Sequence, residues 1–342
     1  MKLLPLALLA ALAVAGCSQR PLVETQLKAI RTYGWKASVV DPAPDWNPSS
    51  HILVARALGG FTLLEEGGRG ERMFATEDRR ESHHPRWLNR DQFVFGPARN
   101  ATRTVEGTVV EPSDGLTVVT VGEGRPQRVR LSDRGSRPRP AHGGMVAAQA
   151  GNRILMIDSR GVSSDFGEGF DIEPQMSGPG LCWRDTPAFE PDWWTGRSGP
   201  GSMHVRWRAG VVDIIPSGVQ AAWTRRDGVV VTVKDAEAPA GKAWWTGGTH
   251  LVHLSAPGTQ PVVLRQGARD PAPHPLADLL AWSGDDGGVW IGTLRADGWQ
   301  ERLASNGSMP RWSHDGLRLS WLEAPADGTQ IPAIRVTVLA PR

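Results

Sequence analysis

Lysine is nearly absent from this sequence. Lys2, Lys28, Lys36, Lys234 and Lys242 are the only examples, and 38 basic residues stand against 36 acidic ones for a net charge of +2. Both signs are interspersed, so there is no concentrated basic face and no nucleic-acid partner is implied. Tyrosine occurs once, at Tyr33, and cysteine twice, at Cys17 and Cys182. Contiguous catalytic signatures are missing too: no G-x-S-x-G, no H-E-x-x-H, no Walker loop and no G-x-G-x-x-G opening a helix. His250 and His253 are three apart in a candidate strand, where odd offsets face opposite sides, and the adjacent His83 and His84 have the same defect, so no metal site is assigned. No cofactor is implied. What the chain does have is 40 Gly, 27 Pro and 15 Trp. Gly and Pro together take about one position in five against a usual one in eight, which excludes an architecture of long helices. The indoles supply broad apolar surfaces suited to layered sheets.

The start of the chain has the order of an export signal. Met1-Lys2 is a short basic region, Leu3 to Val14 is apolar, and Val14-Ala15-Gly16-Cys17 closes the stretch. The apolar part is too short for a bilayer-spanning helix of about twenty residues, and no second run approaches that length. Small residues before a cysteine at this distance resemble the lipobox of bacterial lipoproteins, with an ordinary secretory signal and a chance cysteine as the alternative. The resemblance implies a signal peptide at 1–16 and Cys17 as the lipidated mature N-terminus. Ser18 rather than Asp after it implies outer-membrane residence, with the membrane reached through lipid alone. Residues 17–34 are then a lipidated tether, with Leu22, Val23, Leu27 and Ile30 spaced for one short helix at most. Cys182, between Leu181 and Trp183, is left without an intramolecular partner and is expected to be a buried thiol.

Self-alignment uncovers a repeat. Pro310-Arg311-Trp312-Ser313-His314-Asp315-Gly316-Leu317-Arg318-Leu319-Ser320-Trp321 predicts a short strand, a tight turn and a second strand. It resembles the P-x-W-S-P-D-G-x-x-I-A-F signature of TolB-like β-propeller repeats. Pro44-Asp45-Trp46 leading to Ile52-Leu53-Val54-Ala55, Pro85-Arg86-Trp87 leading to Phe93-Val94-Phe95, and Pro271-Ala272-Pro273 leading to Leu279-Leu280-Ala281-Trp282 keep the same frame. Weaker copies start at Pro138-Arg139-Pro140, at Pro174-Gln175-Met176, and near Ile214-Ile215-Pro216-Ser217-Gly218, the last closing on Ala221-Ala222-Trp223. Markers at 46, 87, 140, 176, 214, 273 and 312 average about 44 residues apart, the length of a four-stranded blade. Trp223, Trp282 and Trp321 then end second strands. The resemblance implies an all-β fold over 35–342, a single β-propeller of seven four-stranded blades. Six is the alternative if the copy at Met176 or Ile214 is not separate. The seventh repeat lacks an outer strand, which Lys36-Ala37-Ser38-Val39-Val40 is placed to supply, so N- and C-terminal strands pair and close the ring.

Extra length falls between the second and third strands of three blades, at Ala98 to Gly115, Arg184 to Met203 and Lys234 to Thr249, which would build up one face. Two of these segments share a tetrapeptide, Trp193-Trp194-Thr195-Gly196 and Trp244-Trp245-Thr246-Gly247. Trp193, Trp194, Trp244 and Trp245, with Arg197 and Arg206 nearby, suit stacking on sugar rings or anchoring a protein interface. The bland alternative is that each pair covers its own blade edge. Ser283 to Trp290 fits a single S-x-D-x-G-x-x-W Asp-box, as in sialidase-like propellers, but a turn between two strands explains it. The favoured reading is a lipid-anchored, non-catalytic propeller on the outer membrane, facing the periplasm and binding an envelope protein or glycan. The alternative is a propeller hydrolase acting on envelope sugars, peptides or lactones in the central funnel, a site that would leave no contiguous motif.

Overall fold

A computed structural model describes residues 27–35, 44–57, 60–65, 71–75, 83–96, 103–105, 108–110, 115–122, 126–186, 201–234, 248–323 and 333–341. They form seven four-stranded antiparallel sheets. The sheets succeed one another along the chain with no crossover, except that the first described strand joins the last sheet. The inner strands are Asp45–Trp46, His83–Trp87, Ser136–Pro140, Phe170–Pro174, Gly218–Trp223, Ala268–Pro273 and Ser308–Trp312. Each touches the inner strand on either side, the seventh touching the first, so the blades close as a seven-membered propeller. The separate copies at blades 4 and 5 exclude the six-blade alternative.

Burial follows position in the blade. The second strand of blade 6, Leu279–Gly284, is buried along its whole length, while the fourth strand of blade 2, Gln127–Ser132, is mostly exposed. The core is accordingly not one mass but seven wedges, one at each junction between neighbouring blades. Phe61 of blade 1 meets Phe93 of blade 2 edge to face at 5.4 Å, and Leu64 of blade 1 packs with Ile334 and Val336 of blade 7. Apolar residues on both faces of every second strand are what a sheet covered on both sides requires.

Ring closure uses terminal strands, but not the expected segment. Leu27–Trp35 pairs antiparallel with Ala333–Pro341, from Leu27 opposite Pro341 to Trp35 opposite Ile334. All but the last residue of the closing strand therefore falls in the segment 17–34 read as tether, and no helix forms at Leu27 or Ile30. Lys36–Val40 lies outside the described residues. A bulge between Ala29 and Arg31 shifts the phase of the strand, which erases the period of two and leaves a spacing that imitates a loose helix.

Two weak repeats also needed moving. The backbone N–H after each inner strand bonds across the first turn: Ser313 to Arg318, His274 to Leu279, Asn47 to Ile52, Gln175 to Gly180 and Thr224 to Gly228. These bonds put the blade 4 marker at Pro174 rather than Met176, and the blade 5 marker at Trp223 rather than Ile214. Trp223 thus ends an inner strand, equivalent to Trp46, Trp87 and Trp312, whereas Trp282 and Trp321 sit in second strands. Pro216-Ser217-Gly218 imitates the signature, but it is the junction between the outer strand of blade 4 and the inner strand of blade 5.

Candidate functional site

The residues singled out from sequence are not among those the structure describes. Cys17, Trp193, Trp194, Arg197, Trp244 and Trp245 all lie outside them. Their segments are nonetheless located by their flanks. Residues 185–201 and 235–248 join second to third strands in blades 4 and 5, and 97–115 does so in blade 2, where Arg103–Val105 and Thr108–Val110 add a small hairpin. Strands alternate in direction, so the strand ends that bound these three insertions lie on one face of the ring. Arg206, at the end of a third strand, lays its guanidinium over the Phe166 ring at 5.0 Å. Cys182 is fully buried in the wedge between blades 4 and 5, and burial pushes its thiol well above the ordinary value, which keeps it protonated and unreactive. The Asp-box is a structural turn: Asp286 accepts from Gly288 N–H at 3.0 Å and from Trp290 Nε1–H at 3.3 Å.

The first turns of the blades form the opposite face and hold one another around the ring. Asn47 Nδ2 donates to the Arg90 carbonyl of blade 2 at 2.6 Å, Gln175 Nε2 to Asp227 of blade 5 at 2.5 Å, His274 Nε2 to the Gly316 carbonyl of blade 7 at 3.0 Å, and His314 Nε2 to the Trp46 carbonyl of blade 1 at 3.1 Å. Between blades 5 and 6, Arg225 and Arg226 hold Asp278 at 3.0 and 2.6 Å. A cavity of about 310 Å³ opens beside this pair, lined by His253, Ser255, Thr293 and Arg295 among others. Burial pushes the His253 imidazole below its usual value, and the charge of Asp278 works the other way.

A second polar region lies at the channel. The residue before each marker is Asp45, Arg86, Arg139, Glu173, Ala222, Ala272 and Arg311 in blades 1 to 7. In five consecutive blades it is charged, and sequence reasoning missed it, because a site supplied one residue per blade leaves no motif. Asp45 accepts from the Trp87 backbone N–H at 2.8 Å, and Glu173 faces Arg139 at 3.6 Å. Arg86 is 7% exposed. Burial first, then the neighbouring charge of Arg139, push its guanidinium down to about 9, with Asp45, Arg311 and Glu173 also close enough to act. Two residues earlier along the inner strands lies a tier whose charges are matched. Arg137 binds Asp171 at 2.7 Å, Asp171 also meets the buried Arg184 at 3.3 Å, and Gln220 binds Asp270 at 2.9 Å. Among the described residues no three His, Cys, Asp or Glu side chains are grouped to hold a metal, and no helix is long and apolar enough to cross a membrane.

No family model and no curated protein matches this chain. Similarity is found among solved structures. A chain in the "Crystal Structure of Mitotic Checkpoint Complex" superposes with a TM-score of 0.56 at 9% identity, over 93% of this chain and 96% of that one. A Kluyveromyces lactis structure, "Hsv2 complete loop 6CD", gives 0.48 at 10% identity, over 90% and 99%. At such identity the first of these speaks for the fold alone: the chain is a seven-bladed β-propeller.

Proposed function

We propose that this protein is a lipid-anchored propeller scaffold of the bacterial envelope. It is held to the outer membrane through Cys17, faces the periplasm, and binds a protein or glycan partner. One observation carries the binding half of this reading: the three long insertions fall at the same junction, second strand to third, in blades 2, 4 and 5, so they share a face on a rigid ring. The paired indoles of two of them supply the large, rigid anchors that dominate interface energetics. The anchoring half rests on the resemblance of Val14-Ala15-Gly16-Cys17 to a lipobox.

Crosslinking and pull-down from native membranes tests the reading. The full chain is compared with one carrying Ala at Trp193, Trp194, Trp244 and Trp245. The expected result is a defined partner recovered with the first and reduced about tenfold with the second, both chains melting alike. Equal recovery would sink the reading. Cys17→Ala is expected to release the chain from membranes without altering partner capture.

A further inference from the structure

The charged residues at the channel are out of balance. Arg311, Asp45, Arg86, Arg139 and Glu173 occupy one register position in blades 7, 1, 2, 3 and 4, whose inner strands touch in that order. Three are cations and two are acids. Asp45 accepts from the Trp87 backbone N–H, and Glu173 pairs with Arg139 at 3.6 Å, which leaves Arg86 and Arg311 without a carboxylate partner in an ion pair among the described residues.

Arg86 is the sharpest case. A guanidinium has five N–H donors and a charge that persists at neutral pH, so burying one without a carboxylate is strongly unfavourable. Arg86 is more than nine-tenths buried, yet among the described residues its side chain makes one hydrogen bond, from Nη1 to the carbonyl of Pro85, its own neighbour in the chain, at 2.8 Å. Arg311, half-buried, has no hydrogen bond or ion pair through its side chain among the described residues. The charges of Arg139 and Arg311 oppose that of the Arg86 guanidinium, Arg139 more strongly than Asp45 supports it. In blades 5 and 6 the same position is Ala222 and Ala272, both buried, Ala272 within the apolar wedge between blades 6 and 7, so these blades add no charge to the tier.

We infer that this tier of the channel is a binding site for an oxyanion, the carboxylate or phosphate group of a ligand that accepts hydrogen bonds from Arg86, Arg139 and Arg311. Planar guanidinium groups match the oxygen spacing of both anions, and bonds between ionised partners are about twice as strong as neutral ones. The site is separate from the insertions of blades 2, 4 and 5 and does not depend on the anchor or on the partner proposed above.

The test is calorimetric titration of the purified full chain with inorganic phosphate and, separately, with succinate, in chloride at constant ionic strength. Saturable binding of at least one is expected. Binding of phosphate alone would assign a phosphoryl ligand, and of succinate alone a carboxylate ligand. Arg311→Gln is the deciding variant, because this half-buried residue can change without disturbing the fold, and it should weaken binding about tenfold. Arg302→Gln, on the exposed outer strand of blade 6, should leave binding unaltered. Absence of saturable binding by either anion, or equal binding by the wild-type and Arg311→Gln chains, would overturn the inference.

Discussion

His274 shows how much of a blade junction can depend on one proton. Its Nδ1 accepts from the backbone N–H groups of Leu276 and Ala277 at 3.0 and 2.9 Å, so Nε2 carries the hydrogen it gives to Gly316 of the next blade. The ring is 5% exposed and stands edge-on to Trp312 at 4.6 Å. A proton on Nδ1 would confront two donors, and burial pushes the pKa down to about 4. An unfolded histidine titrates near 6.5. Between these values the unfolded chain takes up a proton that the native chain refuses. Stability is therefore full above about pH 6.5, falls as the pH drops toward 4, and changes no further through this group below that. The loss amounts to as much as ~3 kcal/mol. Urea unfolding at pH 7 and pH 4.5 should show it, and His274→Gln should cut the difference by more than half, with half-buried His253 supplying part of the remainder. An undiminished acid loss in the variant would place the sensitivity elsewhere.

At the scale of the element, the recurring tryptophan is a clasp between blades. Trp312 Nε1–H donates to the Ala272 carbonyl of blade 6 at 2.9 Å, Trp223 to Glu173 of blade 4 at 3.0 Å, and Trp46 to Arg311 of blade 7 at 3.1 Å. In each, the indole closing one inner strand reaches the carbonyl just before the marker of the preceding blade. Trp87 has the same place but its buried Nε1 lacks a partner. Trp312→Phe should therefore cost ~1 kcal/mol more than Trp87→Phe in chemical denaturation, since only the first removes a made hydrogen bond and strands an acceptor. Equal costs would mean that indole volume alone matters. This clasp also explains what was legible. Where Trp closes the inner strand and a Pro leads into it, as at Pro44-Asp45-Trp46, Pro85-Arg86-Trp87 and Pro310-Arg311-Trp312, the sequence places the blade correctly. In blade 4 a proline replaces the indole, and in blade 5 Trp223 is preceded by Ala221-Ala222 with no proline, so the sequence signal shifts to Met176 and to Ile214, beside Pro216-Ser217-Gly218. The channel charges were hidden by the same slip. With those two markers displaced, the preceding column reads Gln175 and Asp213, and only the corrected frame brings Glu173 and Ala222 into line with Arg86.

At the scale of the whole molecule, every wedge of core joins only neighbouring blades, so the ring is a chain of local contacts that gains by meeting its own beginning. The wedge between blades 7 and 1 is built from Trp46, Leu53, Leu64, Leu322, Ile334 and Val336. The strand Leu27–Trp35 covers the nine-residue edge of Ala333–Pro341, with Thr32 and Thr337 hydroxyls 2.8 Å apart. Removing it leaves blade 7 with three strands and an open edge, a template for pairing with another chain. A chain beginning at Lys36 should keep blades 3 to 5 intact, because their wedges are untouched and stability in such arrays is largely a matter of nearest neighbours. Blade 7 should open more often and the chain should self-associate. Hydrogen exchange read by mass spectrometry would show it, as faster exchange in Ala333–Pro341 and Arg318–Glu323 with protection retained in Val229–Lys234. If protection instead fell equally in all three strands, the ring would be a single cooperative unit, and the closing strand would be part of what holds every blade.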